Sequence, residues 1–371
     1  MTGLDYPLYP IFAFLGFVVT LIPLPWHLQA WNSGTCYYMI WAALSCLNQF
    51  INSIVWHNNA INWAPIWCDI SIRIMLGASV GIPAASLCIN RRLYNIAKTH
   101  AVALTDEAKR RAILIDTLIC VLFPMIVVAL QYVVQGHRFD IYEDIGCYPF
   151  IYNTLPAFFL SDSWPIIIGL VSSVYCGLSL KAFYLRRAQF TRFLKSNKSL
   201  SASRYFRLMA LAMAEILCTI PLASFIIWLN SAAHPVEPWI SWENVHYDFS
   251  RVMQYPSVLW TTNYLLVVAI QLTRWLVVFC AFTFFAFFGF AAEARKNYGI
   301  AFWWVAKIFG FYPARLQQRM NSNEFNRAPR VPAILPSATS FPLYVVKERK
   351  HNSPLVLSWQ HSLDEQKTSP V

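Results

Sequence analysis

The stretch "CDISIR", residues 68 to 73, places an acid and a base four positions apart, Asp69 and Arg73, near the start of a run that stays almost wholly apolar until Asn90. A charge inside such a run is costly. One reading is an i,i+4 pair on a helix surface, with Arg73 extending outward along its own stem. The other is a charged lining for a ligand pocket. Spacing alone favours neither. Three more sets of residues raise the same question. Ser45, Asn48, Gln49 and Asn52 share one helical face inside another apolar run, which serves either interhelical hydrogen bonding or ligand contact. Glu215 lies six residues before Pro221 in "EILCTIPLASFIIW", and Arg274 lies in "QLTRW" near the outer end of the last apolar run.

Familiar catalytic constellations are missing. There is no HExxH, GxSxG or GxxxxGK[ST] pattern. No lysine falls inside a long apolar run, which excludes a retinal Schiff base. The nine cysteines show no CxxC and no Cys/His cluster at metal spacing, and most read as small hydrophobes. His27 and His57 are lone residues at the ends of apolar runs and read as interfacial. No enzyme activity, metal or cofactor is expected.

The elements that must position these residues follow from composition. Of 371 residues 57% are hydrophobic and only 13% charged, with a mean hydropathy of +0.44. Soluble domains carry about 25% charge. The reading is a polytopic membrane protein of all-α class, and its fifteen Trp residues fit a membrane interface. A spanning helix needs about 20 mostly apolar residues. Seven such runs are expected, near 8–28, 37–56, 64–89, 113–134, 164–184, 208–229 and 272–292. The stretch 258–270 is either a separate outer helix or the outer end of the seventh. The N-terminus has no basic n-region and reads as a retained first span. No internal repeat argues for a transporter built of matching halves.

Lys and Arg set the orientation. Six lie in 91–112, eight in 181–207 and eleven after 292, leaving four on the other face or near it. The positive-inside rule then predicts an outer N-terminus and a cytoplasmic C-terminus, and it accounts for the net charge of +11 without nucleic acid. With this orientation Asn90 lies at the inner boundary, about 26 Å below Arg73, and Cys68 tops the third span. Cys147, in "EDIGCYP", lies on the same oxidising face, so a Cys68–Cys147 disulfide is expected to tether the 4–5 loop. Small residues in "GASVGIPAAS", with Gly77 and Gly81 at GxxxG spacing, predict a central, closely packed third helix in which Pro83 introduces a bend. Pro221 is the corresponding bend in the sixth, near Glu215. Arg91 and Arg92 end the third span where a cytoplasmic partner would reach them. Residues 1–292 are read as the bundle, 293–311 as a juxtamembrane amphipathic helix, and 312–371 as a disordered cytoplasmic tail.

Four stretches, "LPWHLQAWNSGTC", "SIVWHNNAINWAPIWCDISIR", "GIPAASLCINRRLY" and "FFGFAAEARKNY", together resemble fungal mating-pheromone receptors of the lipopeptide (a-factor) type, class D G-protein-coupled receptors, with mushroom mating-type receptors as the nearest match. The likeness runs from about residue 5 to 300. It implies a multi-pass receptor in the plasma membrane whose ligand is a secreted peptide with a C-terminal farnesyl group and methyl ester. The implied partners are that farnesylated peptide pheromone, a heterotrimeric G protein through its Gα subunit, membrane lipids and a second copy of the chain. Asp69, Arg73 and Arg274, with Asn52 and Trp67, become the expected ligand-reading residues. Arg91, Arg92, Arg186, Arg187 and Arg204 become the expected coupling residues, and Pro221, Pro83 and Glu215 the switch. The seventh span has no Pro, so switch roles known from rhodopsin-like receptors do not transfer by position. The competing reading from the residues alone is a transporter or channel with Asp69, Arg73 and Glu215 as a charge relay.

Overall fold

The computed structural model describes residues 6–98, 106–185, 202–233, 235–290 and 298. Within them, seven helices are long and apolar enough to cross a membrane: Leu8–Gln29, Ser33–Val55, Pro65–Lys98, Glu107–Val134, Trp164–Leu185, Tyr205–Ala232 and Tyr264–Phe288, here spans 1 to 7. The count agrees with the expectation, while several ends move. Span 3 continues from Ile89 to Lys98 because no breaker follows, and Asn90, Leu93 and Ala97 keep one face buried. Span 7 starts at Tyr264 because Asn263 caps it, accepting the Leu266 N–H at 3.2 Å. The stretch before that cap is a short helix, Ser257–Trp260, so both alternatives for residues 258–270 hold in part. The expected juxtamembrane helix and tail lie outside the described residues, apart from Tyr298.

Span 3 is the hub. It packs against spans 2, 4, 5 and 6, and 67% of its apolar window is buried, the largest share of the seven. Small residues make this approach feasible. A Cβ on Gly77 or Gly81 would come within 2.7 or 2.4 Å of the Trp41 indole from span 2. That indole continues past span 3, and its Nε1 donates to the Cys120 carbonyl of span 4 at 2.8 Å. Four residues beyond Cys120 stands Pro124, which has no N–H to offer that carbonyl, and the helix passes here through a π-helical turn, Leu118–Leu122. Two glycines, one tryptophan and one proline thus pin three helices at one level. Pro83 and Pro221 both lie inside unbroken helices.

Besides the helical bundle, one end carries a small sheet that the all-α reading did not include. Strands β1 (Phe139–Tyr142), β2 (Gly146–Tyr148) and β3 (Val252–Tyr255) take the order β2-β1-β3. β1 and β2 form a hairpin around Glu143-Asp144-Ile145, with Tyr142 opposite Gly146. β3 arrives from the connection between spans 6 and 7 and lies parallel to β1. Gly146 has a φ of +92°, and a Cβ there would come within 2.7 Å of Asn52 Cβ, so the turn and the close approach both require glycine. Phe139 and Ile141 pack with Trp56, Ile72 and the Cys68 and Cys147 side chains, whereas Tyr142 packs with Ile145, Trp260 and Ile270 of span 7. One sheet therefore joins spans 2 and 3 to span 7. At the other end of the bundle, Tyr38, Leu93, Tyr205, Leu211 and Phe284 fill a core shared by spans 2, 3, 6 and 7.

Candidate functional site

The sheet-covered end is built outward from one bond. Cys68, at the start of span 3, is joined to Cys147 of β2 by a disulfide, as expected from the topology. That link draws the start of β1 alongside the next residue, Asp69. Arg138 then grips both carboxylate oxygens, Nε at 3.0 Å and Nη2 at 2.5 Å, a two-pronged arrangement that fits a guanidinium. The carboxylate raises Arg138 above its ordinary pKa. The i,i+4 pair between Asp69 and Arg73 does not form. Arg73 donates instead to Gln131 Oε1 of span 4 at 3.3 Å and to Oε1 of Gln135, the residue just after that span, at 2.7 Å. Gln135 passes its own amide hydrogens to the carbonyls of His137 and Arg138, at 3.2 and 2.6 Å. Arg138 can take both oxygens of Asp69 at once, and the two glutamine oxygens supply acceptors within the bundle for Arg73.

Asn52 and Trp67 lie just beneath the sheet. Trp67 Nε1 donates to Asn52 Oδ1 at 2.8 Å, and Asn52 Nδ2 donates to Ser71 Oγ at 2.9 Å. Both ends of this fully buried amide thus bolt span 2 to span 3. Beside them His137 bonds Asp140 at 2.6 Å and stacks on Phe150. Burial pushes the Asp140 carboxyl upward, against the pull of the His137 hydrogen bond. His57 is held by Asp144 at 3.2 Å and by the stacked ring of Tyr6.

Arg274 stands apart from Asp69 and Arg73. It is 2% exposed, and its guanidinium lies over the Tyr9 ring of span 1, 3.8 Å from the centroid. Among the described residues no carboxylate is within ion-pairing distance of it. The expected ligand-reading residues therefore fall into two groups, one between span 3, span 4 and the sheet, the other between spans 1 and 7. Sequence reasoning singled out neither Gln131 nor Gln135 and gave Arg138 no role. The available signal was that Arg138 is one of very few basic residues in its loop among several acids.

At the opposite end, Arg91 Nη2 meets Asp116 Oδ1 of span 4 at 2.7 Å, and Ser33 Oγ donates to the other oxygen of that carboxylate. Arg92 Nη1 donates to the Trp31 carbonyl at 2.5 Å. A cleft of about 10 Å³, room for roughly one water, is bordered by Asn32, Thr35, Arg92 and Leu208. Glu215 is buried in span 6 and accepts from Thr219. Arg186, Arg187 and the Arg204 side chain lie outside the described residues. Also among the described residues, no group of three His, Cys, Asp or Glu side chains gathers as a metal site would need.

One end thus has a disulfide-tethered, hydrogen-bonded cover, and the other a set of basic residues held by short polar contacts. Comparison with known proteins places the chain among relatives. Residues 8–309 match the family described as STE3: Pheromone A receptor. The chain is 59% identical over 311 residues to the Pheromone B alpha 3 receptor of Schizophyllum commune, covering 84% of this chain and 50% of that protein. It is 34% identical over 294 residues to Pheromone receptor 1 of Mycosarcoma maydis, covering 79% and 82%. It is 26% identical over 293 residues to the Pheromone a factor receptor of Saccharomyces cerevisiae, covering 76% and 59%. The chain spans about half the length of the Schizophyllum commune alpha receptors it matches. With a family match across all seven helices, and more than half the positions shared with a pheromone receptor over 84% of this chain, the chain belongs to the STE3 pheromone A receptor family.

Proposed function

We propose that this chain is a cell-surface receptor for a farnesylated peptide pheromone, lying in the plasma membrane with its N-terminus outside and signalling through a heterotrimeric G protein. The observation that carries the reading is the family match over residues 8–309, which takes in all seven spans. The distribution of Lys and Arg supports the orientation, and so does the Cys68–Cys147 disulfide, a bond that suits an oxidising compartment. Ligand would arrive at the sheet-covered end. The prenyl chain contributes about 0.8 kcal/mol per buried CH₂, while Asp69, Arg73 and Arg274 read the peptide part and Asn52 and Trp67 hold the floor beneath it. At the other end Arg91 and Arg92, with Arg186, Arg187 and Arg204, would meet Gα. Membrane lipids and a second copy of the chain are further partners on this reading.

The test is nucleotide exchange on a co-expressed Gα in membranes containing this receptor, challenged with a panel of farnesylated peptides. Accelerated exchange with at least one peptide is expected. No acceleration across a panel that activates a control receptor of the family would overturn the reading. The double variant Arg91→Ala with Arg92→Ala is expected to keep peptide binding and lose most of the exchange signal.

A further inference from the structure

We propose that Arg274 binds the carbonyl oxygen at the C-terminus of the lipidated peptide, with the adjoining faces of spans 1 and 7 taking the lipid. This deepens the receptor reading above and rests on it. Arg274 carries five N–H donors in a fixed fork. It is 2% exposed, yet its guanidinium finds no hydrogen-bond acceptor among the described residues, and Nε is fully enclosed. Its contacts are the face of the Tyr9 ring and a bond from the Tyr9 hydroxyl to the main-chain oxygen of Arg274. Arg73, Arg91 and Arg138 all reach oxygen atoms. A buried guanidinium without acceptors costs stability, so this position calls for an oxygen from beyond the described residues.

The neighbours narrow the choice. On span 2, Cys46 lies against the Val277 carbonyl of span 7 at 3.9 Å. The two helices run antiparallel, so three residues toward the sheet come Gln49 on one and Arg274 on the other. Gln49 is buried and its Oε1 also lacks a partner. An ester carbonyl attached to a residue with a peptide N–H would satisfy both, the oxygen accepting from Arg274 and the N–H donating to Gln49. A carboxylate would supply only acceptors and leave Gln49 Oε1 without a donor. Beside Arg274 on span 7, Trp275, Val278 and Phe282 form an apolar cluster with Tyr9, Phe12 and Phe50. A prenyl chain on the sulfur of that same C-terminal residue would lie against this cluster.

The experiment uses the full chain in reporter cells and a peptide to which the wild type responds, made in two forms. One ends in the methyl ester. The other ends in the methyl ether, with CH₂ in place of the carbonyl. On the wild type the ether is expected to be at least tenfold less potent. On Arg274→Gln the ester should lose about as much, and the ester-to-ether ratio should fall below threefold. Arg274→Lys, which keeps charge but not the fork, should give an intermediate ratio. Surface labelling checks delivery, and if Arg274→Gln is not delivered, Arg274→Lys and Gln49→Ala are judged by the same ratio. An unchanged ratio with both peptides weakened alike would overturn the proposal and make Arg274 a structural residue. So would equal potency of the two forms on the wild type, as expected if only water fills the site. A wild type that answers no farnesylated peptide would overturn the receptor reading itself, and this proposal with it.

Discussion

Partner geometry decides what each charged side chain contributes. The Asp69–Arg138 pair leaves 42% and 34% of its side chains exposed, and exposed pairs contribute about 1 kcal/mol or less. The Arg91–Asp116 pair leaves only 21% and 5% exposed, and removing one partner of an enclosed pair costs about 3 kcal/mol or more because the other charge is stranded. Thermal unfolding of purified receptor should therefore separate Asp69→Asn, with a small loss, from Asp116→Asn, with a loss several times larger. Similar losses for the two would show that burial does not set their weight. Asp116→Asn should also raise basal nucleotide exchange on Gα, because it frees Arg91 at the end where coupling is proposed. The sequence made Asp69 and Arg73 stand out, and both lie beneath or beside the sheet. It did not show that they have different partners, because Gln131, Gln135 and Arg138 lie some sixty residues away in the chain.

At the scale of elements, each tertiary contact between helices has a local cause. Trp41 lies across Gly77 and Gly81, so Gly81→Val would drive a branched side chain into the indole ring. Overpacking of this kind costs about 1–3 kcal/mol, and it should appear as a lower unfolding temperature together with red-shifted Trp fluorescence. An unchanged emission spectrum would mean that spans 2 and 3 have room to separate. The sheet depends on a different constraint. The Cys68–Cys147 bond closes a sequence separation of 79 residues, and on a chain-entropy basis such a link contributes about 4.5 kcal/mol. Changing both cysteines to serine should reduce surface delivery and peptide response together. Full response in the double variant would show that β3 and the Trp56, Phe139 and Ile141 packing suffice to seat the cover. The hairpin was legible in principle, since "YEDIGCY" is a short loop with glycine between strand-forming residues. β3 was not, because its parallel pairing with β1 joins segments more than a hundred residues apart and leaves no local pattern.

Over the whole molecule, the covered end is expected to respond to pH. Burial pushes Asp162, just before span 5, up to about 6, against hydrogen bonds from Asn230 and Ser161. Its neutral form is thus the one the fold prefers. The stability it contributes is fully present below the ordinary carboxylate value near 4 and is lost as pH rises through about 6. Asp140 is shifted in the same direction, again by burial. Unfolding temperature should accordingly be higher at pH 5 than at pH 7, and Asp162→Asn should flatten part of that slope. A slope unchanged in both Asp162→Asn and Asp140→Asn would assign it to other groups.

The sequence by itself determined the number of helices and the central place of the third, and it pointed to the cysteine pairing, because each follows from apolar length, residue size and the order of elements along the chain. Only the tertiary structure decided that Asp69 binds Arg138, that Arg73 turns to two glutamines, that a sheet closes one end, and that Arg274 is enclosed without an acceptor among the described residues. Periodicity places a side chain on a helix face and at a depth. Which atom it meets there depends on connections folded back from distant parts of the chain, and those are set by the packing of the whole bundle.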